Sequence, residues 1–159
     1  MSVDNRPVGF GLYKRIETDR GLLVSIEGRA IHQDFQGRRL GSSALRELLV
    51  SDPEIVAAAS CTRNPAIPRL MSRYFDKVSP AISHAHPLHL YEDDEDIRYF
   101  TEVYGTHVGV TPEDLPFTYG RYKGGLYGSN DPGANFPGIP EIQANGENGI
   151  IMVATERNI

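Results

Sequence analysis

Between Leu22 and Tyr74 the apolar residues change their spacing from every second position to a helical period and back, and this constrains the fold most. Leu22, Val24 and Ile26 alternate with mostly polar neighbours, which reads as a strand over Leu22–His32. From Leu40 the pattern turns helical: Leu40, Ala44, Leu45, Leu48 and Leu49 share one face, until Ser51-Asp52-Pro53 stops it. Glu54–Cys61 is an alanine-rich, β-branched run of strand length, expected to be buried on both faces. Asn64 then reads as an N-cap and Pro65 as a first helical residue, predicting a helix to about Tyr74. A strand, a helix and a second strand in that order imply parallel strands joined by a crossover helix.

Val8–Arg15 mixes Val, Phe, Leu and Tyr and reads as a further strand. The short polar link Glu17–Gly21 makes it a hairpin partner of Leu22–His32. Gly28 inside the second strand signals a bulge or a close backbone approach. Beyond Lys77 the signal weakens. Leu88–Tyr91 and Ile150–Thr155 resemble strands, and Glu92–Val103 a short helix with an acidic start. Residues 119–148 hold most of the late glycines and prolines and read as a long loop or lid. The whole, residues 1–159, is expected to form one domain.

The segment Ile31-His32-Gln33-Asp34-Phe35-Gln36-Gly37-Arg38-Arg39-Leu40-Gly41-Ser42 carries the chemistry. A strand ends, a loop of glycine and arginine follows, and a helix opens. Such a junction leaves backbone N–H groups without intrahelical partners at the positive end of the helix dipole. A diphosphate suits it: glycines admit the ligand, and Arg38 or Arg39 can add charge-assisted bonds. No Gly-Lys-Ser/Thr occurs, so this is not a P-loop, and the three-glycine spacing of a dinucleotide fingerprint is missing.

Ile31 through Leu49 resembles motif A of the GNAT superfamily of N-acetyltransferases, whose pattern is Gln/Arg-x-x-Gly-x-Gly/Ala at a helix start. Gln36, Leu40 and Gly41 fall in place, while Arg39 stands where the family usually has its first glycine. Thr62-Arg63-Asn64-Pro65-Ala66-Ile67-Pro68-Arg69-Leu70 is similar to motif B, where an asparagine opens a helix beside the CoA arm. The resemblance covers residues 22–75. It implies a GNAT-like α/β fold with a mixed, partly parallel sheet flanked by helices, and acetyl-CoA as acyl donor with no metal. The pantetheine arm would follow Ala30, Ile31 and His32, and the diphosphate would sit on the Gln36-Gly37-Arg38-Arg39-Leu40-Gly41-Ser42 loop, with Asn64 nearby. An amine would attack the thioester while a backbone N–H of the strand polarises its carbonyl. Glu27 is the expected base. The family's tyrosine, which protonates the leaving thiolate, is replaced by Met71, with Tyr74 the nearest substitute. Residues 1–21 leave no room for the family's first strand and two helices. The glycine-rich C-terminal half, or a partner copy in a homodimer, would then supply the acceptor wall. A degenerate domain that binds acyl-CoA without turning it over, as a sensor or assembly module, is the alternative.

The remaining chemistry is sparse. A net charge of −5 argues against nucleic acid as main partner. The longest apolar run, Ile55–Cys61, falls short of the about 20 residues that cross a bilayer. Absence of an apolar core near Met1 gives no sign of a secretory signal, and the lone Cys61 agrees with a reducing cytoplasm. Cys61 itself reads as a small buried hydrophobe. His84, His86 and His89 lack the partners of a metal site, and the acidic run Glu92–Asp96 suits a solvated helix start.

Overall fold

The computed structural model describes residues 1–83, 86–89, 94–122, 131–136 and 139–159. Its centre is a six-stranded sheet that includes β3 (Gly9–Thr18), β4 (Gly21–Ile31), β5 (Ile55–Thr62), β10 (Gly149–Arg157) and β6 (Phe75–Ser79), side by side in that order. The two-residue β9 (Phe117–Thr118) adds to β10. β4 and β5 run parallel and every other pairing in this sheet is antiparallel, so the sheet is mixed and partly parallel. Two small ribbons stand apart, β1 (Ser2–Val3) with β2 (Arg6–Pro7) and β7 (Ala81–Ser83) with β8 (His86–His89).

Strand alternation sorts the core into two layers. Leu22, Val24, Ile26, Ala58, Ile150 and Met152 face one side, where Leu45 and Leu49 of α1 (Leu40–Ser51) and Ile67, Leu70 and Met71 of α2 (Ala66–Met71) cover them. Ile142 of α4 (Pro140–Ala144), with Phe136 and Ile139, completes that layer. Leu23, Ala57, Ala59, Ile151 and Val153 face the other side, against Ile97, Phe100 and Tyr104 of α3 (Glu95–Val108). Central strands buried on both faces explain the continuous apolar runs in β5 and β10.

The expected hairpin, the helix from Leu40, the strand from Ile55 and the late strand at Ile150 are all present. Several expectations need correction. The helix after Asn64 ends at Met71, because Arg73 and Tyr74 close tighter turns on Leu70 and Met71. A strand at Phe75–Ser79 was invisible in the sequence because charges at Asp76 and Lys77 break its apolar pattern, yet it pairs along β10. The helix expected at Glu92–Val103 runs from Glu95 to Val108, capped by the Asp94 carboxylate on the Ile97 N–H and ended by left-handed Gly109. Residues 119–148 are not one structureless loop. Among the described residues they hold a 3₁₀ turn at Pro132–Asn135 and α4, with Phe136, Ile139 and Ile142 in the core. Leu90, Tyr91, Glu92, Asp93, Gly124, Gly125, Pro137 and Gly138, and His84 of the histidine cluster, lie outside the described residues.

Arg63 anchors this late segment. Its fully buried guanidinium forks onto the Asp131 carboxylate and donates to the carbonyls of Ile142, Asn145 and Asn148. Gly133 makes room for it, since a Cβ there would lie 2.5 Å from Arg63 Nη2.

Candidate functional site

Two irregularities in β4 create the site. Leu12 pairs with Gly28 and Tyr13 with Ile26, so Glu27 is the extra residue of a β-bulge. One face-switch follows: Ile26 packs toward α1 before the bulge, and Ile31 lies against α1's Gly41 after it. At the same level the parallel ladder between β4 and β5 stops at Ser25–Ala59, and the strands diverge. Side-chain hydroxyls meet backbone groups beyond that point. Ser60 Oγ donates to Ile26 O at 3.0 Å, Tyr122 OH donates to Cys61 O at 2.9 Å, and Cys61 N–H donates to Tyr104 OH at 3.1 Å.

A cleft of about 340 Å³ occupies the divergence, lined by Glu27, Arg29, Cys61, Asn64 and Tyr122 among others. Glu27 accepts from Ser25 Oγ at 2.5 Å, and Ser25 lies 3.2 Å from the hydroxyl of Tyr104. Ser25 has one proton, and a carboxylate is the stronger acceptor. The proton therefore goes to Glu27, and Tyr104 donates to Ser25. Burial pushes the Tyr104 hydroxyl above its ordinary pKa, the nearby Glu27 charge adds to the rise, and the Cys61 N–H bond opposes it.

A second cavity of about 450 Å³ adjoins the cleft, the two sharing Arg29 and Asn64. Its lining includes Arg29, Arg39, Arg69 and Arg73 and no carboxylate. It opens over the start of α1, where Arg39 is the N-cap and no side chain caps the first turn. The N–H groups of Leu40, Gly41 and Ser42 there have no intrahelical acceptor. Gly41 is buried, and a Cβ on it would stand 2.7 Å from Arg29 Nη1. Arg39 holds the left-handed φ of 61°, which costs a residue with a Cβ about 1–2 kcal/mol. That strain accounts for glycine being the ordinary residue at such a position.

The structure gathers most of the expected residues here. Gln36, Gly37, Arg39, Leu40, Gly41, Ser42, Ile31 and Asn64 all line the arginine cavity. Gln36 Nε2 donates to Ile31 O at 3.0 Å, and Asn64 Oδ1 takes the Ala66 N–H at 2.9 Å. Arg38 instead lies over the Phe35 ring at 5.0 Å, away from the cavity lining. His32 is exposed, with its N–H on Val8 O at 2.8 Å and its ring beside Asp34. Strand alternation gives the Ala30 N–H the same direction, towards β3, and turns Ile31 towards the gap. Tyr74 is set elsewhere: its hydroxyl is bonded to Ser42 Oγ at 2.6 Å and it lines neither cavity, while Met71 is fully buried core. Ser25, Tyr104, Tyr122, Arg69 and Arg73 join the site without being among the residues expected from the sequence. Arg69 and Arg73, four apart in the helix expected to run to about Tyr74, had a legible signal as neighbours on one face. Tyr104 and Tyr122 arrive from distant segments and had none. Cys61, expected to be buried, is half-buried at the cleft. Among the described residues no group of His, Cys, Asp and Glu is placed to hold a metal ion, and no helix is long and apolar enough to cross a membrane.

No protein-family model matches this chain, and no curated protein matches it in sequence. Among solved structures it is similar to one described as the GphF GNAT-like decarboxylase in complex with isobutyryl-CoA. That likeness spans 98% of this chain and 75% of the other, at 15% identity and a TM-score of 0.41. At this distance neither substrate nor reaction transfers.

Proposed function

We propose that this chain is a GNAT-like domain that binds an acyl-CoA and passes its acyl group, most simply acetyl, to an amine. One observation carries the reading: a carboxylate-free cavity lined by four arginines lies over an uncapped helix start and runs into the gap between β4 and β5. Arg29, Arg39, Arg69 and Arg73 match the charge of a diphosphate, and the amides of Leu40, Gly41 and Ser42 would cradle it. The pantetheine arm would pass Asn64 and enter the gap, meeting the edge of β4 at Ile31. There the thioester would lie beside Glu27.

In this reading Glu27 takes a proton from the incoming amine as nitrogen attacks the carbonyl carbon. Ser25 and Tyr104 fix the carboxylate's orientation from below. Backbone N–H groups on the gap side of β4 would stabilise the developing oxyanion. Holding the two reactants together supplies much of the rate. A non-catalytic acyl-CoA-binding module is the second reading, and one observation favours it: Met71 is buried and the Tyr74 hydroxyl is spent on Ser42.

The test is calorimetric titration with acetyl-CoA, followed by thiol release over a panel of amines. Micromolar binding that Gly41→Trp abolishes, with acceptor-dependent thiol release, supports the enzyme. Binding without release under any amine supports the module. An intact chain that does not bind acyl-CoA sinks both.

A further inference from the structure

We propose that a cavity at the other end of the sheet from the acyl-CoA cleft binds a small monocarboxylate with an apolar body, through Arg157 and Thr155. The inference stands apart from the acyl-CoA reading above. The cavity measures about 470 Å³, and Val56, Phe100, Thr155, Glu156 and Arg157 are among the residues that line it. β5 connects the two places: Ile55 at its start lines this cavity and Cys61 near its end lines the cleft, about 20 Å along a strand.

Two side chains there lack the partners their chemistry asks for. Thr155 is 3% exposed, and its Oγ1 has no hydrogen-bond partner among the described residues. A buried hydroxyl left unpaired is destabilising, and a ligand that accepts its proton removes that cost. One χ1 step between staggered wells exchanges its methyl and hydroxyl and presents the latter to the cavity. Arg157 is half-buried and donates Nη1 to the carbonyls of Asp52 and Ile55, at 3.1 and 3.4 Å. No carboxylate among the described residues pairs with it. The carboxylates at the cavity are already taken, Asp96 by Arg20 at 2.7 Å and Glu156 by Lys77. One cation is left over, which suits a single negative charge; a phosphate, carrying up to about two, would exceed it. Guanidinium and hydroxyl can both donate to a carboxylate. The ligand's other end would meet hydrocarbon, since Phe100 and Ile55 are buried beneath the cavity and Val56 stands at its edge. Between the two binding groups Glu156 holds a left-handed φ of 58°, a costly conformation for a residue with a Cβ. Strain of that kind gathers at ligand sites. The strand beyond is fixed by the Asn158 N–H on Tyr74 O at 3.0 Å.

Hexanoate and its neutral counterpart hexanamide test this on the intact chain, followed by backbone amide shifts in an NMR titration carried into the millimolar range. Hexanoate should give saturable shifts at Val56, Thr155, Glu156 and Arg157, and hexanamide should bind about tenfold more weakly or worse for want of the charge. Equal affinity for the two would overturn the carboxylate assignment. Hexanoate shifts confined to the cleft of Glu27 and Cys61, or none at all, would overturn the site, and neither result bears on CoA binding. Arg157→Gln should abolish the hexanoate shifts, and their survival would refute the anchor. Thr155→Val removes only the hydroxyl, so it should weaken hexanoate about fivefold and raise the melting temperature of the ligand-free protein. A hydroxyl with a merely structural role would leave the affinity as it was, and that result refutes the contact. Should Arg157→Gln not fold, the Thr155→Val affinity and the hexanamide comparison decide.

Discussion

Asp131→Asn should cost about 3 kcal/mol of stability at neutral pH, near the low end for removing one partner of a buried ion pair. Arg63 is fully buried, and its side chain has no solvent to turn to. Its fork on Asp131 includes Nε to Oδ1 at 3.0 Å, and the same Oδ1 also caps the Gly133 N–H at 2.9 Å. Asparagine keeps one acceptor oxygen but sets an NH₂ against a guanidinium that has only donors. Three backbone carbonyls still hold Arg63, which keeps the loss below the top of the range. The dependence on pH gives the sharper check. The hydrogen bond and charge of Arg63 hold the Asp131 carboxyl below its ordinary pKa. A depressed folded pKa contributes stability that is present above the unfolded value, about 4, and lost as pH falls through the folded one. Urea denaturation of both proteins should show a gap near 3 kcal/mol at pH 7 that narrows steadily below about pH 4. A gap that is absent at neutral pH, or that stays constant into acid, would refute this account of the Arg63 anchor.

Other consequences concern the cleft. Arg39→Gly should relieve left-handed strain of about 1–2 kcal/mol, offset in part by about 0.5–1 kcal/mol of glycine entropy, while weakening acyl-CoA binding. A thermal melt beside a titration would show the two effects moving in opposite directions, and parallel loss would contradict it. Arg69→Ala should weaken CoA by about tenfold or more, as expected for a charge-assisted bond, with little change in the melt. Tyr104 is raised by burial, so its stabilising contribution is full below its unfolded pKa near 10 and declines as pH rises beyond it. Alkaline unfolding should therefore be less steep in Tyr104→Phe, and identical profiles would dismiss that coupling. Gly149→Val should drive the Tyr122 ring out of the cleft, visible as lost protection of Tyr122 from nitration chemistry at the ring.

How far the sequence reveals this arrangement depends on the range of the interactions. The β4–α1–β5 unit was legible because its signals are local: alternation in Leu22–Ile26, the helical stripe of Leu45 and Leu49, and the loop between them. Gly28 marked the bulge, although the extra residue proved to be Glu27. Phe75–Ser79 became a strand because β10 offers it an edge, a long-range pairing that charged Asp76 and Lys77 hide locally. Residues 119–148 read as a loop or lid because they hold most of the late glycines and prolines. From Asp131 onward Arg63 holds the described part through partners 68 and more positions away. The half of the candidate site lying on the loop was therefore readable, and the half built by Tyr104 and Tyr122 was not.

The central claim is that a phosphate-bearing acyl-CoA lies over the start of α1 and enters the gap between β4 and β5. Backbone amide shifts in an NMR titration with CoA test it most directly. Saturable changes are expected at Gly37, Leu40, Gly41, Ser42 and Asn64, extending to Ile31 and Cys61. Shifts confined to other surfaces, or none at saturating CoA, would contradict it.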